Sequence, residues 1–441
     1  MDINFFKQLW RHFIPQKNPP IIHYGRGIHA LPNPDEQKLF EASAEAFGNH
    51  EVLRGYHFFL ESIQHHGNTH HLILKPHEKS ISFTLQQGMA ILQAEVSEER
   101  FYASAKIAHA SKIPVAMKRR LLERNFQLTY AHFSQKENHI ILSIELHNTT
   151  ITPQKIFFPL RELALNADFE KDFIASEFDE SALLEIDHIH PINHERLRHL
   201  YTTMLSWIAQ TKESLVGLLS NDNNGMASFS YLALLLQIDY LLTPHKKMAK
   251  EINEKINGYF IDDEKLTTDK NSDLESYLDE LSQMSFEDFS TQFYTAPTTF
   301  SPYDQAMHDD IATFIDESLA KVRWYKNNHV SYVIPTIYRY IALYVLFNYG
   351  LHPSLRVLFH LHVQIYASDF FADEGEERLY TPSTKSFNIQ RISELIASAI
   401  EPYTHRYKNL QNFAKELNYT DLDHFSQSFY LQIKNLDYQE L

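Results

Sequence analysis

The residues best suited to chemistry in this chain are its histidines. There are 26 among 441 residues. The tightest group is His188-Ile189-His190-Pro191-Ile192-Asn193-His194, with His199 further on and Asp187 and Glu195 adjacent. His188 and His190 share one side of an extended segment, and His194 and His199 can approach it from the next helix. Imidazole and carboxylate donors at such spacing suit zinc or iron. No H-E-x-x-H frame accompanies them. A metal held by His188, His190, His194 and His199 is therefore the alternative reading, and no cofactor is the expectation.

Arg339 offers a second kind of chemistry. It lies in Tyr338-Arg339-Tyr340, inside the apolar stretch Val330 to Tyr349. A charge placed there is normally paired for solvation. Asp239, the one acid of the apolar stretch Met226 to Leu242, is the expected partner, as an ion pair between packed helices. In the alternative, Arg339 and Asp239 mark a ligand site where the guanidinium holds an anion. His360 and His362 fall on different faces of a helix, one at the edge of the core and one on the surface. Asp369, Asp373, Glu374, Glu376 and Glu377 read as an acidic loop after that helix. His65-His66 and His70-His71 flank Gly67-Asn68-Thr69 as a solvated hairpin tip.

Familiar catalytic frames are missing. Gly217 and Gly225 fit neither a dinucleotide nor a Walker pattern. No Gly-x-Ser-x-Gly elbow occurs. The chain has no Cys, which removes thiol nucleophiles and disulfides and fits a reducing compartment. Catalysis is not expected.

Net charge is −16. Residues 1–180 hold 19 Lys+Arg against 21 Asp+Glu, so −14 falls on the remainder. An acidic second half is poorly suited to gripping nucleic-acid phosphates. The basic run Lys118-Arg119-Arg120 with Arg124 reads as a solvated helix face. A 44 % hydrophobic and 13 % aromatic content excludes general disorder, and the length points to two domains. Met226–Leu242 and Val330–Tyr349 approach the length of a membrane span. Gln237, Asp239, Pro335 and Arg339 interrupt them, and each mid-span charge costs about 2.5–3.5 kcal/mol in a bilayer. Both read as buried helices, so neither a membrane span nor a nucleic-acid partner is expected.

The elements that must position these residues fall into two grammars. Met1 to Phe13 reads as an amphipathic helix without a secretory core, followed by a Pro-rich connector to residue 34. Asp35 to Phe47 is helical. Strand character follows over Tyr56–Ile63, His70–Leu74, Ser80–Leu85 and Met89–Val96, then a helix over Glu98–Ala110. From Pro114 the pattern is a helix, with Val115, Leu121, Leu122 and Phe126 on one face and Asn125 at its exit as an αL-tolerant residue. Two alternating runs come next, Leu128–Phe133 and Ile140–His147, joined by the polar turn Ser134–Asn138. Thr152-Pro153 then starts another helix. Beyond about residue 180, helical periodicity takes over. The expected organisation is residues 1–34 as helix and connector, 35–180 as an α+β domain with an antiparallel sheet and flanking helices, and 181–441 as an acidic all-α domain.

Leu121-Leu122-Glu123-Arg124-Asn125-Phe126, a strand ending in Phe133, a polar turn, an alternating strand, and Asn148-Thr149-Thr150 before a helix resemble the C-terminal half of the type III secretion chaperone-like fold, which bacterial sensory-transduction regulators share. The resemblance covers at most Asp35 to Asp168. It implies a helix-flanked antiparallel sheet that binds other proteins, often as a dimer, and brings no catalytic residues. The expectation is a non-catalytic, chaperone- or adaptor-like protein of the bacterial cytoplasm whose partner is another protein, a second copy included. The alternatives are the histidine metal site and a small ligand in the helical half.

Overall fold

The computed structural model describes residues 24–25, 33–64, 71–178, 180–216, 224–262, 264–403 and 410–436. The expected helix at Met1–Phe13, most of the connector, and His65, His66 and His70 lie outside the described residues.

Two helices open the first part, α1 (Pro34–Gly48) and α2 (Val52–Ser62). Asn33 starts α1 with a capping box: its side chain accepts from the Asp35 and Glu36 N–H groups, and Glu36 answers its own N–H at 2.8 Å. Six strands follow, β1 (Leu72–Pro76), β2 (Ser80–Gln87), β3 (Ala90–Ser97), β4 (Arg100–His109), β5 (His132–Lys136) and β6 (His139–His147). They form one sheet in the order β1-β2-β3-β4-β6-β5, antiparallel throughout. Helix α3 (Val115–Arg124) is inserted before β5, and α4 (Pro153–Glu177) follows β6.

The sheet has one apolar face because its strands alternate. Ile81, Phe83 and Leu85, then Leu92, Ala94 and Val96, then Phe101, Ala103, Ala105 and Ile107 are buried. Leu160, Leu163, Ala164, Ala167 and Ile174 of α4 join them in the same core. Fully burying each large apolar side chain contributes about 1.5–3 kcal/mol. On the other face the register aligns Ile73, Thr84, Gln93, Ser104, Ser143 and His132 in one row across all six strands.

Three local expectations are corrected. Tyr56–Ser62 belongs to α2 and Ile63 caps it, because Tyr56, Phe59, Leu60 and Ile63 repeat at helical spacing and are all buried. Glu98–Ala110 is not a helix: most of it is β4, whose period-two burial is masked in sequence by alanines, which favour helix and are depleted in strands. Asn125 is not in αL; its φ is −59°. Its amide instead pairs with both backbone groups of Phe133, accepting from N–H at 2.7 Å and donating to C=O at 3.1 Å. The strand before the hairpin also starts late. The N–H groups of Thr129, Tyr130 and Ala131 all donate to the Glu162 carboxylate, which takes them out of any ladder.

The second part is mostly helical: α5 (His194–Leu215), α6 (Asn224–Gln237), α7 (Lys246–Ile261), α8 (Thr267–Gln283), α9 (Phe286–Ser290), α10 (His308–Asn327), α11 (Ile334–Asn348), α12 (Pro353–Tyr366), α13 (Ser368–Asp373), α14 (Ile389–Ile400) and α15 (Leu422–Lys434). A two-residue hairpin, β7 (Tyr380–Thr381) with β8 (Ser386–Phe387), interrupts them. A π turn, Ile238–Leu242, extends α6 and ends at Thr243 in αL. Asn224–Leu242 is the one described helix long and apolar enough to cross a membrane, and most of it is buried inside the protein.

The segment Tyr294–Ser301 ties the second part to the first. Tyr294 and Phe300 belong to the core under the sheet. Gly88 N–H donates to the Pro297 carbonyl at 2.9 Å, and Thr299 and Phe300 N–H both donate to the Gln87 side chain. Arg161 of α4 donates to the Ser301 and Tyr303 carbonyls and pairs with Asp304.

Candidate functional site

Helix α3 has two apolar sides. The inner one carries Met117 and Leu121, both buried. The outer one carries Val115 at 63 %, Leu122 at 60 % and, in the turn that follows, Phe126 at 93 % exposure. The expected single apolar face is thus divided: of Val115, Leu121, Leu122 and Phe126, Leu121 alone enters the core. Val115, Arg119, Leu122 and Phe126 stand at i, i+4, i+7 and i+11, one continuous stripe.

α3 is held rigidly beneath this stripe. Arg120 and Arg124 both pair with Glu170 of α4, a residue with no exposure. Arg124 also donates to Asn166 at 2.6 Å. The Arg120 guanidinium lies 4.0 Å from the Phe173 ring centre. The basic run expected as a solvated face therefore turns two of its arginines inward, and leaves Arg119 outside.

The four histidines proposed as metal ligands are dispersed among different neighbours. His188 Nε2 meets the Gly88 carbonyl at 2.8 Å, and its Nδ1 is buried without a partner. Burial, opposed by that carbonyl, lowers its pKa. His190 is exposed, and its backbone bridges to Thr295. His194 sets its ring edge-on to Phe286, and His199 stacks on Phe370. Among the described residues the one set of three potential ligands within 4.8 Å is Asp421, Asp423 and His424. Its donors already have partners. Asp421 caps α15 and accepts from the His424 ring, and Asp423 accepts from Lys326 and from the Tyr338 hydroxyl at 2.9 Å.

Arg339 and Asp239 do not form the expected ion pair. Asp239 is buried in the π turn, whose i→i+5 bonding shifts its phase from that of a continuous α-helix. Arg339 lies on α11 with its Nε buried and unpartnered. Burial lowers its pKa, and Tyr366 acts in the opposite sense.

His362 is a second correction: it has no exposure at all. Ser426 Oγ lies 3.1 Å from its Nε2 and the Tyr430 hydroxyl 3.3 Å from its Nδ1. His360 meets the Tyr240 hydroxyl at 2.8 Å. Burial takes both imidazoles down to about 3. The acidic run is also committed: Glu374 pairs with Arg196, Glu376 accepts from Gln364 and Tyr24, and Asp369 pairs with Arg378.

Sequence reasoning missed a polar cluster between the two parts. Lys171 has no exposure and donates to the carbonyls of Met89, Leu184 and Glu185. Burial brings its pKa down to about 8. The Asp168 carboxylate accepts from Met89 N–H at 2.7 Å, and burial followed by the charge of Asp172 raises its pKa. Tyr294 donates to Asp172 at 3.0 Å. Gly88 turns here with φ +51°, and Asp168 occupies the space a Cβ would need. The signal was present: Lys171 falls between Ala167 and Ile174 on the apolar stripe of α4. Every group in the cluster serves backbone or a neighbouring charge, which makes it a joint between the parts. Comparison with known proteins finds no family model and no curated protein that matches this chain.

Proposed function

We propose that this chain is a non-catalytic protein-binding protein, chaperone- or adaptor-like, of a bacterial cytoplasm. One observation carries the reading: the outward stripe Val115–Arg119–Leu122–Phe126 along α3 and the turn that follows it, on a helix clamped to α4. Such a stripe gains free energy when covered, about 25 cal/mol per Å² of apolar area, and its rigid mounting keeps the ordering cost of binding low. Arg119 within it favours a partner segment that is apolar and bears an acid. The succession of helix, hairpin and helix around a one-sided antiparallel sheet supports the chaperone-like resemblance, and the lack of cysteine suits a reducing compartment.

The test is the double variant Leu122→Glu/Phe126→Glu. Both side chains are exposed, so the fold is expected to keep its stability to within about 0.5 kcal/mol. Partner capture from the source cell, or self-association by light scattering, is expected to fall at least about tenfold. Capture and self-association equal to wild type would refute the reading.

A further inference from the structure

The helical half answers its partly buried cations with care. Arg196 has Glu374, Arg356 has the Tyr24 carbonyl at 3.1 Å, and Lys434 has Asp316. Arg339 differs. No hydrogen bond or ion pair joins its guanidinium to any described residue, its Nε is sealed from solvent, and the residue as a whole is half-buried. Guanidinium keeps its proton in proteins. Its charge therefore stays in place without a bonded counter-ion, and its Nε is desolvated without a hydrogen bond in return.

The neighbouring acids are spent. Asp423, which with Arg339 flanks Tyr366, is held by Lys326 and Tyr338. Asp421 caps α15. Tyr366 itself pairs with Ser426 Oγ at 2.8 Å, and Ser426 is buried and linked to His362. The Tyr366 hydroxyl acts on the head, and among the described residues no carboxylate is bonded to it. A planar guanidinium recognises a carboxylate or phosphate through two parallel N–H···O bonds.

We propose that Arg339 is the binding residue of a site for a small oxyanion, the carboxylate or phosphate group of a metabolite, in the helical half. The site is distinct from the α3 stripe and does not depend on it.

The experiment titrates the full chain with inorganic phosphate and with acetate, following Tm and calorimetric heat, against sodium chloride of equal ionic strength. One of the two oxyanions is expected to bind saturably and to raise Tm by about 2–4 °C at tenfold excess over Kd. A response to phosphate alone assigns a phosphate-bearing ligand, and a response to acetate alone a carboxylate. Arg339→Met is expected to abolish the response, with a Tm in plain buffer no lower than wild type. Arg339→Lys keeps a charge without the planar fork and is expected to weaken Kd at least about tenfold. The proposal is overturned if neither anion binds wild type saturably, or if Arg339→Lys or a folded Arg339→Met binds with the wild-type Kd.

Discussion

Gln87 and Phe300 join the two parts of the chain by a reciprocal pair: Phe300 N–H donates to Gln87 Oε1 at 2.8 Å, and Gln87 Nε2 donates to the Phe300 carbonyl at 3.3 Å. Thr299 N–H shares the same acceptor at 3.0 Å. One side chain at the end of β2 thus satisfies three backbone groups of a segment 212 and 213 residues away. Gln87→Ala leaves two buried N–H groups without their acceptor. We expect a loss of about 1–3 kcal/mol in denaturant unfolding. A change under about 0.5 kcal/mol would show that water replaces the amide and that the joint is loose.

Glu170 carries the attachment of α3. Glu170→Ala leaves Arg120 and Arg124 without their shared partner, and we expect a cost of about 2–4 kcal/mol. The lower end is favoured because the two arginine side chains are 30 % and 24 % exposed. Hydrogen exchange should rise in residues 115–124 ahead of the sheet. Uniform exchange across the chain would contradict the clamp.

His360 and His362 set a pH dependence. Each has a folded-state pKa of about 3 against 6.5 for a free imidazole, because burial disfavours the charged ring. A depressed pKa means that the unfolded chain takes up protons first. The stability is full above about pH 6.5 and is lost as pH falls toward 3, at up to about 1.4 kcal/mol per unit for each histidine. His362→Gln should remove one such increment from the slope between about pH 6 and 4. Identical slopes for wild type and variant would place the His362 ring in contact with water.

Much of the architecture was legible because periodicity is a local property. The succession of an antiparallel sheet with flanking helices and then a mostly helical part holds, the last strand of the sheet ending at His147. The misreadings arose where a distant partner decides. Three consecutive N–H groups at Thr129–Ala131 look available for a strand until Glu162, more than 30 residues on, takes them. β4 hides its alternation behind alanines, which on their own favour a helix and are depleted in strands. The site was less legible than the fold. A histidine-rich segment offers ligands by composition, but their convergence depends on tertiary contacts, and His188 is drawn to Gly88 while His199 goes to Phe370. Leu122 and Phe126 looked like core residues since spacing alone does not say which side of a doubly apolar helix faces the sheet.

The most direct test of the binding claim is site-specific photocrosslinking in the source cell. A photoreactive phenylalanine analogue replaces Phe126 in one variant and Val216, at 77 % exposure in the helical half, in another. The account predicts a discrete protein adduct at position 126, lost when Leu122→Glu is added, and none at position 216. Equal adducts at both positions, or an adduct at 126 indifferent to Leu122→Glu, would contradict it.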